Sequence, residues 1–426
     1  MEEDSEISAA EHPTPPFYNT TFSAHRVSPL YLGSKEESLR TDRLQLLSQR
    51  LRDRLVGDVV RGVEVGDGED GVIGKAGALE TVEMRWVGVA ELLGISGGVL
   101  ETLEAGQEGM WQGLLGKKAL HISLRYEMAS CSGFMLPPLI PAGEEGEVAR
   151  GATKTRFMVD GGDNNMDWER AVNPSHFLAL PLLLLRMPAP LKTVVGEFLS
   201  ETFDCRVSPM RLGTRSLVRS WEAWIRSAGL PCRGPLVKDV VLSLGFHLPS
   251  DAVPVPNPPQ DEEVTAEDHQ QPLGLKTIDV IIPATELQKF VAAGTRLVNT
   301  QSKLTGSAAG WGWENDLKQR RQLAGRLGEE GWEWHAASPD DSASQPFTEA
   351  LARYLKEHLG LNLFHPGVRV VKIACGGFAM SEMRLKLFAP AGEAEAGAEG
   401  DGLSLLGQRG AVLELLGGLV AKARVQ

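Results

Sequence analysis

Residues 365–388 read HPGVRVVKIACGGFAMSEMRLKLF, and the fold class turns on them. Residues 368–374 (VRVVKIA) are rich in valine and isoleucine, which predicts a strand. Residues 378–388 predict a second, in which Met383, Leu385 and Leu387 alternate against Arg384 and Lys386. The link between them is too short for a crossover helix, so the pair is antiparallel. That pattern predicts an α+β fold rich in antiparallel sheet instead of a doubly wound α/β one.

Working outward, residues 349–358 have helical spacing, which predicts burial of Leu351, Tyr354, Leu355 and Leu359 before Gly360 stops the helix. Strands are predicted at 237–246, with Val240, Leu242, Leu244 and Phe246 on one side, and at 275–282, with Ile278, Val280 and Ile282 on one side. A helix is predicted at 215–228, with Thr214 as N-cap and Gly229 at its end. Its apolar stripe is Leu217, Val218, Trp221, Trp224, Ile225 and Ala228, and Arg215, Arg219, Glu222 and Arg226 repeat opposite. A further helix over 41–55 puts Leu44, Leu47, Leu51 and Leu55 on one face, with Gly57 as its stop. No fixed-period repeat stands out.

The chain has 426 residues, enough for two or three domains, and a formal charge of −13. That charge is unevenly placed. Segments 1–16, 66–71, 143–147, 249–272 and 390–402 together hold 21 acidic residues and no Lys or Arg, which leaves +8 on the remainder. Six prolines in 249–272 predict a solvated, disordered linker. The expected organisation is a disordered acidic N-terminus (1–16), an α+β domain (17–248), the acidic Pro-rich linker (249–273), a C-terminal α+β partner-binding domain (274–389) and a low-complexity tail with a possible short helix (390–426). The longest apolar run, 177–185, is far short of the roughly 18 residues a bilayer span needs. The acidic start fits neither a secretory signal nor a transit peptide. A cytosolic or nuclear protein is expected.

Chemistry-bearing motifs are weak. Cys131, Cys205, Cys232 and Cys375 lie far apart, and the histidines form no metal pattern, so neither a metal nor a cofactor is expected. Gly66, Gly68 and Gly71 spell GxGxxG, but Asp67, Glu69 and Asp70 would repel a pyrophosphate. Gly94, Ser96 and Gly98 spell the nucleophile elbow of a serine hydrolase, without an oxyanion-hole segment to support it. His247 and His365 read as structural. The pairs Trp311 with Trp313 and Trp332 with Trp334 read as core or interface packing, despite Lys318, Arg320, Arg321 and Arg326 between them. Arg206, Arg211, Arg215, Arg219 and Arg226 form the densest basic cluster, a candidate for phosphate or an acidic partner.

Residues 17–33 (FYNTTFSAHRVSPLYLG), 43–63 (RLQLLSQRLRDRLVGDVVRGV), 203–212 (FDCRVSPMRL) and 365–388 resemble the fungal Sim4-complex kinetochore subunits that correspond to CENP-L. The resemblance does not extend to the acidic linker, the Trp-rich stretch or the tail beyond residue 389. It implies a non-enzymatic subunit of the inner kinetochore's constitutive centromere-associated network in the nucleus. Such a subunit forms a heterodimer with a CENP-N-like protein, next to other inner-kinetochore subunits and centromeric nucleosomal DNA, with no membrane or small-molecule substrate. On that basis the five arginines are the expected DNA contacts, without sequence choice. Phe378, Met380, Leu385, Leu387 and Phe388 are the expected partner surface, because a late antiparallel strand can offer an edge. A serine hydrolase acting through Ser96 and a scaffold of another chromatin complex are the alternatives.

Overall fold

The computed structural model describes residues 14–33, 39–60, 77–95, 113–139, 176–229, 238–247, 275–301, 329–337, 345–390 and 402–425. The fold is α+β with antiparallel sheet throughout the recorded pairings. It divides into two compact units, residues 1–20, 25–208 and 420–426, and residues 21–24 and 209–419.

In unit 1 the strands are β1 (Thr21–Val27, from His25 onward), β2 (Leu30–Tyr31), β3 (Leu79–Gly88), β4 (Lys118–Tyr126), β5 (Ser130–Leu136), β6 (Phe177–Leu178) and β7 (Leu182–Arg186). Their main order is β3-β4-β5-β7-β1, while β2 and β6 pair separately. The helices are α1 (Thr41–Val60), α2 (Val89–Leu92) and α3 (Ala189–Phe203). Leu44, Leu47, Leu51 and Leu55 of α1 join Val195, Phe198 and Leu199 of α3 in a core over Leu120, Ile122 and Leu183. Contrary to the expected stop at Gly57, α1 continues to Val60. A glycine costs a helix only about 1 kcal/mol relative to alanine, too little to end one already anchored by four buried leucines. On the sheet's second side His121 stacks on Phe134 with ring centroids 4.7 Å apart. Among the described residues neither imidazole nitrogen has a hydrogen-bond partner. Burial, aided by Arg85, pushes His121 down to about 4.

Strand β8 (Val207–Pro209) pairs with β1 off the main strand path. Here the sequence hides a repeat. RVSPLYLG (residues 26–33) and RVSPMRLG (residues 206–213) match at six of eight positions. The Ser28 N–H donates to the Arg206 carbonyl at 3.1 Å and the Met210 N–H to the Ala24 carbonyl at 2.9 Å. These two bonds set an antiparallel register with Val27 opposite Val207 and Arg26 opposite Ser208. Within the two copies, residues 26–28 therefore run antiparallel to residues 206–208.

Unit 2 contains α4 (Thr214–Ala228), β9 (Val240–Phe246), β10 (Thr277–Ile282), α5 (Ala284–Gln301), α6 (Glu333–Ala337), α7 (Pro346–Leu359), β11 (Val368–Ala374), β12 (Phe378–Ser381), β13 (Arg384–Leu387) and most of α8 (Gly402–Val425). Its strand order is β10-β9-β11-β12-β13, followed by residues 21–24 of β1. The division between units falls at Ser208/Pro209, not at segment 249–273. That segment, outside the described residues, connects β9 and β10, which are antiparallel neighbours within unit 2. Residues 378–388 form a hairpin, not one strand, turning at Glu382 and Met383 with Phe378 opposite Leu387 and Met380 opposite Leu385. The tail, expected to be low in complexity, contains a 24-residue helix in which Ala411, Val412, Leu415, Leu416 and Leu419 are buried.

The helix layer is held by carboxylates reaching across the chain. Neither α4 nor α7 has a capping bond from its own N-cap side chain. At α4 the Glu329 carboxylate accepts the Gly213 and Ser216 N–H groups instead. Thr214 is not the cap: its hydroxyl oxygen accepts the Val370 N–H of β11. Glu222, expected on the solvent side of α4, is 4% exposed. It accepts the N–H and hydroxyl of Thr348 in the first turn of α7, at 2.8 and 2.7 Å. Burial pushes its carboxyl up to about 7 against the pull of those bonds and of Arg226. In α7, Leu351 and Leu355 are buried as expected, but Tyr354 and Leu359 are 47% and 62% exposed. Tyr354 packs sideways on Phe290 of α5.

Two pH predictions follow from these buried groups. Glu222 holds its proton more tightly folded than unfolded, so its contribution to stability is full below about pH 4.5 and declines as pH rises toward 7. Urea denaturation of Glu222→Gln should show the variant gaining on wild type by about 2 to 3 kcal/mol between pH 5 and pH 8. A constant difference across that range refutes the assignment. His121 has the opposite sign: its neutral form is full support above pH 6.5, lost as pH falls toward 4. His121→Phe should raise the melting temperature at pH 5.5 more than at pH 8, and an equal shift at both counts against it.

Candidate interaction surfaces

Alternation along the unit 2 strands sorts their side chains onto two faces. One face carries Phe22, Leu385, Met380, Ile373 and Leu242 in register, followed by Leu387, Phe378 and Val240, all buried. The helices pack there: Trp224 of α4 meets Phe378 at 5.3 Å, and Trp221 meets Phe347 of α7 at 5.4 Å. Gly377 is required beneath α4, because a methyl group at that position would overlap the Trp224 ring.

The opposite face is cationic and built on small residues. Ser23, Arg384, Lys372, Ser243 and Asp279 occupy one row, and Thr21, Lys386, Ala379, Ala374, Val241 and Ile281 the next. Lys372 and Arg384 are exposed and Lys386 half-buried. Asp279, an acid on this face, accepts the Ser243 hydroxyl at 2.6 Å. Phe388 lies beneath two ammonium groups, Lys238 at 5.4 Å and Lys386 at 5.2 Å from its ring centre. Small side chains between the cations keep the face flat and leave their long stems room to converge. At the end of the strand order, β10 presents Ile281 at 62% exposure, and Leu275 just before it is 63% exposed.

The residues expected at interfaces are placed differently. Phe378, Met380, Leu385 and Leu387 are at most 1% exposed, on strands with a neighbour on each side, so they are core and not contact surface. Phe388 is half-buried under its two cations. The five arginines do not form one helix face. Arg206 is an exposed residue of unit 1. In unit 2, Arg211 is 3.7 Å from Glu382, and Arg215 and Arg219 stand over the Trp334 ring at 5.9 and 5.8 Å. Arg226 is exposed in the last turn of α4. Trp334 and Trp332 are buried, Trp334 within α6 and Trp332 just before it. The Trp332 Nε1–H donates to the Val368 carbonyl at 2.9 Å. Trp311, Trp313 and the basic residues after them lie outside the described residues.

Arg384 and Lys386 are visible in the sequence as the polar half of an alternating pattern, whereas Lys372 has the parity of Val368 and Val370 and joins the cationic face through the register shift between Val370 and Lys372. The hydrolase reading gains nothing here: Ser96 lies outside the described residues, and β3 leads into α2 and Gly94 before reaching it. The same holds for Gly66, Gly68 and Gly71. His247 and His365 bracket Gly367, whose carbonyl accepts the His247 N–H at 2.8 Å and whose N–H donates to His365 Nδ1 at 3.0 Å. Burial lowers the pKa of both rings. Among the described residues no three His, Cys, Asp or Glu side chains gather as a metal site requires, and no helix is long and apolar enough to cross a membrane.

Comparison with curated proteins finds no match. The family model of CENP-L, centromere protein L, matches residues 16–424, including α8, well past the residue 389 at which the sequence resemblance ends. The chain belongs to the CENP-L family and is a kinetochore-associated subunit.

Proposed function

We propose that this protein is a non-enzymatic inner-kinetochore subunit, a member of the constitutive centromere-associated network in its Sim4-complex form. It works in the nucleus at the centromere, pairs with a CENP-N-like protein, and helps hold the kinetochore to nucleosomal DNA during chromosome segregation. The observation that carries this reading is the two-faced sheet of unit 2. One face is consumed by the helix layer, while the other offers Lys372, Arg384 and Lys386 on a floor of Ala, Ser and Thr. Cations on a flat face suit phosphate contacts, which give affinity and position without sequence choice. Arg206 and Arg226, exposed cations from the expected set, are additional candidates.

The partner belongs at β10, not at the hairpin of β12 and β13. A strand at the end of a sheet has backbone groups available for a further strand. Exposed Ile281 and Leu275 supply apolar contact there. A partner strand added at β10 also lengthens the cationic face, so one geometry serves both roles.

Charge reversal of Lys372, Arg384 and Lys386 together should weaken DNA binding by the heterodimer and reduce the log-log salt slope by about 2 to 3. An unchanged slope overturns the DNA assignment. Ile281→Glu with Leu275→Glu should abolish co-purification with the CENP-N-like partner while leaving the circular dichroism spectrum intact, since both side chains are exposed. Undiminished pairing excludes β10 as the interface.

A further inference from the structure

Apart from Arg206, the paired RVSP motifs have no role in the function proposed above. Ser208 is followed by Pro209, with Arg211 three residues after it and Arg206 two before. A serine with proline next and a base at the third position beyond is the substrate chemistry of proline-directed serine kinases. Its twin, Ser28, has Pro29 but Tyr31 at the corresponding position. Placement also separates the two. Ser28 immediately follows β1, a strand inside the main order, while Ser208 is on β8, which lies off that path and pairs with β1 alone. Strand β8 is already extended and half-exposed, with Pro209 exposed, the backbone form a kinase groove takes.

The same register supplies a receiver. Arg26 lies directly opposite Ser208, and Arg206, two residues before it and just ahead of β8, falls on the same side by alternation. Side chains directly opposite in an antiparallel pair have Cβ atoms about 5 Å apart, within reach of a guanidinium on a phosphoryl group. We propose that Ser208 is a phosphorylation site whose phosphate is held by Arg26 across the ladder and by Arg206 along the strand. In the reaction the Ser208 Oγ forms a bond to the γ-phosphorus of ATP. The bond from that phosphorus to the β,γ-bridging oxygen breaks, ADP leaves, and the hydroxyl proton passes to the kinase's base. The product adds a charge of about −1.5 to −2 between two arginines, so it tightens the pairing of β8 with β1.

The test uses the full chain with a cyclin-dependent kinase and magnesium ATP, read by intact mass and peptide mapping. The expected result is one phosphate on Ser208, absent in Ser208→Ala and strongly reduced in Pro209→Ala, with both variants shown to be folded by circular dichroism. The phosphorylated protein should melt several degrees higher than the unmodified one, and Arg26→Gln with Arg206→Gln should remove that increase without preventing phosphate incorporation. No incorporation into folded protein, incorporation on Ser28 alone, or a melting increase that survives loss of both arginines would each overturn the proposal.

Discussion

The carboxylate of Glu222 sets the geometry of unit 2. It sits on the buried stripe of α4 and accepts two bonds from Thr348, so the first turn of α7 is fixed against α4 at a point where α7 has no side-chain cap of its own. Unsatisfied N–H groups at a buried helix end cost about 1 to 3 kcal/mol each, and a remote carboxylate removes that cost while defining where the second helix begins. The device recurs. Glu329 serves the start of α4, and the Asp239 carboxylate accepts the Ala284 N–H at the start of α5. Each cap comes from outside the helix it serves, so the helices are positioned by one another instead of forming independently.

This arrangement explains the two-faced sheet. With α4 and α7 locked together, Trp224 and Trp221 are aimed down at Phe378 and across at Phe347, and the side chains beneath them must be apolar and closely fitted. Gly294 of α5 shows how close: a methyl group there would overlap the Pro346 carbonyl. The opposite face carries no such demand. Its exposed positions at Lys372 and Arg384 take long charged side chains at little packing cost, which is the condition under which a sheet can present a charged surface.

The parts of the fold that were legible in the sequence are those governed by local periodicity. The buried stripe of α4, the strand over Val368–Ala374 and the end of α7 at Gly360, with its φ of 64°, all follow from side-chain spacing or from the backbone freedom of glycine. What spacing cannot convey is the partner. Glu222 shares a helical row with Arg219 and Arg226 and reads as solvated until Thr348, 126 residues away, is beside it. Leu385 and Leu387 alternate with cations equally well on an edge or at the centre of a sheet, and only the pairing of β13 with β1 decides for the centre. The segment over 249–273 has the composition of a domain linker, yet β9 and β10 on either side of it are hydrogen-bonded neighbours.

The net charge of −13 is a poor guide to partners for a related reason. Coulomb interactions with a duplex act over about 8 to 10 Å at physiological salt, so what matters is the charge on the surface that meets it. Twenty-one acidic residues lie in five segments without a base, whereas the open face of unit 2 concentrates Lys372, Arg384 and Lys386 within a few strand spacings. Neighbouring strands are about 4.8 Å apart, so cations on β11 and β13, two spacings from each other, stand roughly one Debye length apart and would meet the same stretch of a polyanion's backbone. An acidic total and a compact cationic face are therefore compatible in one chain.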